Sequence, residues 1–142
     1  MFIADKPAMI AGDLLVVSDL HIGITKDIWD KGVRIPSQVR SMAKRINEIK
    51  KSAKAKKLVM LGDIKHHIPG ISWQEERELP EFFSLLDFKE VVLVKGNHDG
   101  RIERLVPENV KVKKTYSYGN YAFTHGHRMI KTSKRIVVIG HN

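Results

Sequence analysis

Four uninterrupted apolar runs punctuate the chain: Leu14 to Val17, Leu58 to Leu61, Val91 to Val94 and Ile136 to Ile139. Runs of four with several β-branched members suit strands covered on both faces, where neither side tolerates a polar residue. Between the first two, Val39, Met42, Ala43, Ile46, Ile49 and Ala53 recur at intervals of three and four. They predict a helix opened by Pro36 and buried along that stripe, with Arg40, Lys44, Arg45, Lys50, Lys51 and Lys54 on its other faces. Between the second and third runs, Leu79, Phe82, Phe83 and Leu86 mark a second buried stripe, introduced by the capping-box pair Ser72 and Glu75. Pro80 predicts a kink or restart in that helix. Strands alternating with helices argue for a parallel sheet in an α/β chain.

The weaker signals fill in the rest. Phe2-Ile3 and Met9-Ile10 flank a polar turn and suggest a hairpin, and Ile22 to Ile35 reads as a loop with a short helical piece over Asp27 to Lys31. Trp29 in that loop is a packing anchor, and Arg101 to Leu105 suggests a short helix. After Pro107 the texture changes to short strands, Val110 to Lys113, Thr115 to Tyr118 and Tyr121 to Phe123, with Gly119-Asn120 as a two-residue hairpin turn. A second sheet follows. No repeat or linker divides residues 1–142, so one domain is expected.

Composition narrows the chemistry. The 142 residues suffice for a core, and the absence of cysteine excludes disulfides, thiolate metal sites and cysteine nucleophiles, as suits a reducing cytoplasm. No apolar run approaches the roughly 18 residues that cross a bilayer, and Met1 to Gly12 lacks the pattern of a signal peptide, so a cytoplasmic protein with no membrane partner is expected. A net charge of +9 favours anionic partners, nucleic acid above all.

The strand ends carry the candidate chemistry. Leu14 to Val17 delivers Ser18-Asp19-Leu20-His21, and Asp19 and His21, two apart, would project to one side of an extended backbone. The second run ends in Gly62-Asp63, followed by Lys65, His66 and His67; adjacent histidines point in different directions, so no more than one is expected at a site. The third ends in Gly96-Asn97-His98-Asp99, the hairpin strand in Thr124-His125-Gly126-His127, and the last in Gly140-His141-Asn142. In βα folds such ends gather at one sheet edge. Carboxylate, amide oxygen and imidazole suit manganese, iron, zinc or nickel better than calcium, and a two-ion site needs a bridging carboxylate, for which Asp63 is the natural choice.

The ordered series D-x-H, G-D, G-N-H-D, H-G-H and the beginning of G-H-x-H, at Asp19, Gly62, Gly96, His125 and Gly140, resembles the calcineurin-like metallophosphoesterase superfamily. More narrowly, L-H-I-G at Leu20, R-I-P-S-Q at Arg34 and G-D-I-K-H at Gly62 are similar to phosphoesterases related to the DNA-repair nucleases SbcD and Mre11. The resemblance implies a four-layer αββα sandwich, two mixed sheets flanked by helices. It also implies two divalent ions, manganese first. Asp19, His21 and bridging Asp63 would hold one, and Asp63, Asn97, His125 and His141 the other. His98 would face the phosphate and protonate the leaving oxygen, with Asp99 orienting its ring, while Asn97, His98 and His127 contact substrate. A hydroxide acidified by both ions would attack phosphorus in line.

The sequence ends one residue before the last histidine of G-H-x-H, so a C-terminally truncated domain with a weakened first ion site is expected, the terminal carboxylate of Asn142 offering partial replacement. The favoured function is a two-metal phosphodiesterase for nucleic acid or nucleotides. A phosphomonoesterase and a non-catalytic, basic nucleic-acid-binding relative are the alternatives, and a homo-oligomer is compatible with each.

Overall fold

A computed structural model describes residues 1–140. Its larger sheet has the order β1 (Met9–Ala11), β2 (Leu14–Val17), β3 (Lys57–Leu61), β4 (Glu90–Val94) and β5 (Val110–Lys113). β1 pairs antiparallel with β2, and the remaining neighbours are parallel, with Val16 opposite Val59 and Val59 opposite Val92. The smaller sheet holds β6 (Tyr116–Tyr118), β7 (Tyr121–Thr124) and β8 (Ile136–Ile139), β6 antiparallel and β7 parallel to its next neighbour. Two mixed sheets with three helices agree with the expected fold.

The first three apolar runs divide by period two between two cores, whereas β8, expected from its sequence to be covered on both faces, buries little beyond Val138. Leu15, Val17, Leu58, Met60, Val91 and Leu93 face the helices α2 (Val39–Ala53) and α3 (Trp73–Leu85), meeting Ile46, Leu79 and Phe82. Leu14, Val16, Val59, Leu61, Val92 and Val94 face the smaller sheet and pack on Phe123 and the partly buried Val138. Each such side chain contributes about 1.5–3 kcal/mol by leaving water, which explains why the runs carry no polar member. No helix contributes to this second core among the described residues, and the far side of the smaller sheet leaves Val137 and Ile139 exposed. The two sheets are also tied at one end by the Tyr118 hydroxyl, which donates to the Asp13 carboxylate in the β1–β2 turn.

Local signals held with adjustments. The capping box is present, with Ser72 Oγ accepting from Glu75 N at 3.3 Å and Glu75 Oε2 accepting from Ser72 N at 2.7 Å. Pro80 neither breaks nor restarts α3, which runs through it. The carbonyl that Pro80 leaves without an amide partner belongs to Glu76, and both residues lie on the exposed face, where water serves instead. α2 begins at Val39, three residues after Pro36, and α1 covers Ile24–Asp30, starting earlier than its sequence pattern suggested. Trp29 is indeed an anchor, its Nε1 donating to Ile35 O at 2.7 Å and its ring lying 5.9 Å from that of Trp73. The Arg101 to Leu105 segment forms a single 3₁₀ turn, Ile102–Arg104.

Candidate metal centre

Three parallel strands end at one edge, and the loops that follow β2 and β3 remain laced together. Asp19 N donates to Gly62 O at 3.0 Å, His21 N to Asp63 O at 2.9 Å, Ile22 N to Ile64 O at 2.8 Å and His66 N to Ile22 O at 3.0 Å. The backbone turns hard while doing so. Asp19, His21 and Asp63 have φ of 53°, 46° and 51°, the left-handed region that costs an L-residue energy and concentrates at functional sites. Asp19 and His21 therefore do not lie in extended backbone, and the same-side argument drawn from their spacing gives way to a different arrangement. The Asp19 carboxylate joins Asp63 and His125, whereas the His21 ring joins His66 and His98; within each trio the donor atoms lie within 4.8 Å of one another.

Asp63 belongs to the first trio and reaches toward His98 of the second. It is 1% exposed, its Oδ1 accepts from His98 N at 3.0 Å, and its Oδ2 lies 3.2 Å from His125 Nε2 and 4.0 Å from His98 Nε2. His125 is fully buried, with Nδ1 3.1 Å from Leu61 O and Nε2 3.1 Å from Asn97 Oδ1. A carbonyl only accepts, so Nδ1 carries a proton and Nε2 is the atom turned toward the Asp63 and Asn97 oxygens. A carboxylate, an amide oxygen and an imidazole gathered this closely fit a borderline divalent ion. The carbonyl behind His125 fixes its tautomer, as ligating histidines require. Burial lowers the pKa of His21, with Asp63 opposing and His98 and His66 reinforcing, which favours the neutral ring that a metal needs.

Two glycines set how closely the donors approach. A Cβ on Gly62, whose φ is +81°, would lie 2.2 Å from His125 Nδ1, and one on Gly96 would lie 2.2 Å from Asp63 Oδ1. The G-D and G-N-H-D motifs thus need glycine because ligands occupy the space a side chain would fill.

Asp99 does something other than orient His98. Its Oδ1 accepts from Ile64 N at 2.8 Å and Lys65 N at 3.1 Å, its Oδ2 from Gly96 N at 2.8 Å, and it is fully buried. These donors use both oxygens, so the carboxylate braces two loops from beneath; burial raises its pKa, opposed by the same backbone bonds. The His98 ring is held instead by the His66 carbonyl, 2.6 Å from Nδ1. That carbonyl is itself positioned. Glu75 Oε1 accepts from His66 N at 2.9 Å and His67 N at 2.6 Å, and the buried Lys65 ammonium donates to the carbonyls of His67 and Gly70. Burial lowers the Lys65 pKa, against the pull of Glu75, Asp99 and Asp63.

Asn97 and His127 are exposed at the rim, the His127 ring 5.5 Å from that of His125, and burial lowers the His127 pKa with help from His125 and Arg128. His141 and Asn142 lie outside the described residues. Sequence reasoning left His66 undecided; its ring nitrogens sit 3.4 Å from His21 Nδ1 and 3.0 Å from Asp27 Oδ2. The signal was its place three residues after Asp63, on the loop laced to D-x-H. Glu75 was found as a cap, but its reach to the His66 loop had no sequence signature.

A parallel sheet whose strand ends converge on carboxylate, amide and imidazole donors defines a metal-site α/β sandwich. Residues 12–141 match the family model described as calcineurin-like phosphoesterase, and the chain belongs to that family. Among solved structures it resembles the Pseudomonas putida nuclease MPE, with a TM-score of 0.55 and 20% identity over 88% of this chain and 58% of that one. It also matches YfcE, a phosphoesterase from E. coli, with a TM-score of 0.44 and 19% identity over 80% of this chain and 57% of that one. The chain thus spans a little under three fifths of the length of either. No protein of curated function matches it in sequence.

Proposed function

We propose that the chain is a metal-dependent phosphodiesterase acting on nucleic acid or nucleotides. The observation that carries this reading is the convergence of the buried Asp63 Oδ2 and His125 Nε2 with Asn97 Oδ1 from the rim at one strand edge, with His98 Nε2 turned toward the same carboxylate. Asp19, His21, Asp63, Asn97, His125 and His141 would hold two divalent ions, manganese first; of these, the Asp19 carboxylate gathers with Asp63 and His125, and the His21 ring with His66 and His98. Ions bound there supply Lewis-acid polarisation of phosphoryl oxygens and acidify water. Asn97 contributes a neutral donor and so adds no charge that repels a phosphate. His98, with Nδ1 committed to the His66 carbonyl, presents Nε2 as the atom that gives a proton to the leaving oxygen. His127 at the rim contacts a non-reacting phosphate oxygen. The L-H-I-G, R-I-P-S-Q and G-D-I-K-H segments support kinship with SbcD- and Mre11-related nucleases, and the fold likeness to a nuclease agrees with a diester substrate.

Turnover of bis(p-nitrophenyl) phosphate tests the reading. Activity should vanish in EDTA, return with manganese, and be absent from Asp63→Ala at any manganese concentration. A folded, metal-loaded sample with no turnover sinks it.

A further inference from the structure

All sixteen carboxylate side chains lie at or before Glu108, whereas seven of the 25 lysines and arginines follow it. The net charge of +9 is thus concentrated on β5, on Lys114 just after it and on the loop before β8. The basic face of α2, by contrast, is partly neutralised, with Arg40 on Glu81 at 2.7 Å and Lys50 on Asp87 at 2.9 Å. Of the seven later cations, Lys111 alone has a carboxylate within 4.0 Å among the described residues, Glu90 at 3.8 Å.

Two of the others, Lys114 and Arg128, line a groove of about 280 Å³ next to the metal centre. Gly96, Thr124 and His127, each beside a residue of the centre, share its lining with Met129 and Ile130. Met129 is wholly exposed, at 101%, an apolar side chain held at the mouth of a cationic groove. The volume lies just below the range of about 300–1,000 Å³ typical of small-molecule pockets, which is room for one nucleoside-sized group.

We propose that this groove seats the nucleoside adjoining the reacting phosphate of a single-stranded nucleic acid. Lys114 and Arg128 neutralise the next phosphate, and Met129 and Ile130 lie against the base. The single strand follows from size, because a base enters a groove of one-nucleoside volume only when unstacked from its neighbours. The inference rests on the phosphoesterase reading for its substrate, and its test is separable from it.

The intact chain is titrated in EDTA with a short fluorescein-labelled oligothymidylate, and anisotropy is followed at several salt concentrations. Lys114→Ala/Arg128→Ala should weaken binding about tenfold at low salt and flatten the slope of log Kd against log salt by about 1.4, since each phosphate contact on a single strand contributes about 0.7. Met129→Ala should weaken binding severalfold with the slope unchanged. The pair Lys44→Ala/Arg45→Ala on α2 removes the same charge elsewhere and should leave the slope as it was. An equal loss from both pairs, an unchanged slope in the first, or tighter binding of duplex than of single strand overturns the proposal. Binding at the groove without turnover of bis(p-nitrophenyl) phosphate refutes the enzymatic reading alone; turnover without such binding refutes the groove alone.

Discussion

Replacing Glu75 by glutamine exchanges one oxygen for an amino group at a fully buried position. Oε1 accepts from the His66 and His67 amides, and Oε2 from that of Ser72. The remaining carbonyl oxygen can keep the first two bonds, which leaves the new amino group facing the Ser72 donor. An orphaned buried donor costs about 1–3 kcal/mol, and two bonds that lose charge assistance add about 1 kcal/mol. The total, about 2–4 kcal/mol, is a large part of an ordinary stability of about 5–15 kcal/mol but does not exceed it. A folded protein with Tm lowered by roughly 5–15 °C is expected. Function should fall further than stability alone requires. The His66 carbonyl that fixes the His98 ring belongs to the loop Glu75 holds, and a displacement of about 1 Å at a reacting group costs up to about 100-fold in rate. Urea unfolding gives the first quantity, and kcat and KM for bis(p-nitrophenyl) phosphate with saturating manganese give the second, with kcat reduced and KM little changed. An unchanged kcat in a destabilised variant refutes the positioning role; unchanged stability refutes the hydrogen-bond argument itself.

Three further outcomes are expected. His98→Ala should retain manganese affinity by calorimetry while losing about 10²–10⁴-fold in turnover, whereas Asn97→Ala should weaken one of two manganese binding events. Gly62→Ala, which forces a Cβ into the His125 ring from a φ of +81°, should unseat that ring and abolish tight manganese binding, and a variant with native affinity contradicts the close approach. The Tyr118 hydroxyl lowers the Asp13 pKa, so this pair stabilises the fold above the ordinary carboxylate value and the contribution disappears as pH falls through the lowered one. Tyr118→Phe should therefore lower Tm at pH 7 and lose less Tm than the parent between pH 5 and pH 2.5; parallel curves refute the assignment.

β2, β3 and β4 were legible because burial on two faces leaves an unbroken apolar run, and the helices because burial on one face leaves a period near 3.6. The strand-end donors could be read for a related reason: a polar residue directly after a buried run has few places to go except the sheet edge. What escaped were relations between loops. Asp19 and His21 depart from extended backbone because the β2 and β3 loops continue their hydrogen bonding past the strands, which no local pattern encodes. Asp99 looked like a partner for His98 because it follows it, yet three backbone amides from two loops claim it. Glu75 announced its capping box three residues from Ser72, while its other bonds span eight and nine residues to an irregular segment. Pro80 misled because the penalty for proline in a helix depends on whether water reaches the carbonyl it abandons.

The left-handed backbone at Asp19, His21 and Asp63 has a thermodynamic consequence. Each costs about 1 kcal/mol or more, and the unfolded chain bears none of it. Divalent ions that bind only the folded arrangement offset this cost by mass action, about 2.7 kcal/mol at a hundredfold excess over the dissociation constant. The melting temperature should then act as a gauge of how much metal the protein carries, rising by several degrees from chelator to saturating ion. A cell short of the ion would hold this chain in its least stable form, so its abundance would follow metal supply even before catalysis is considered.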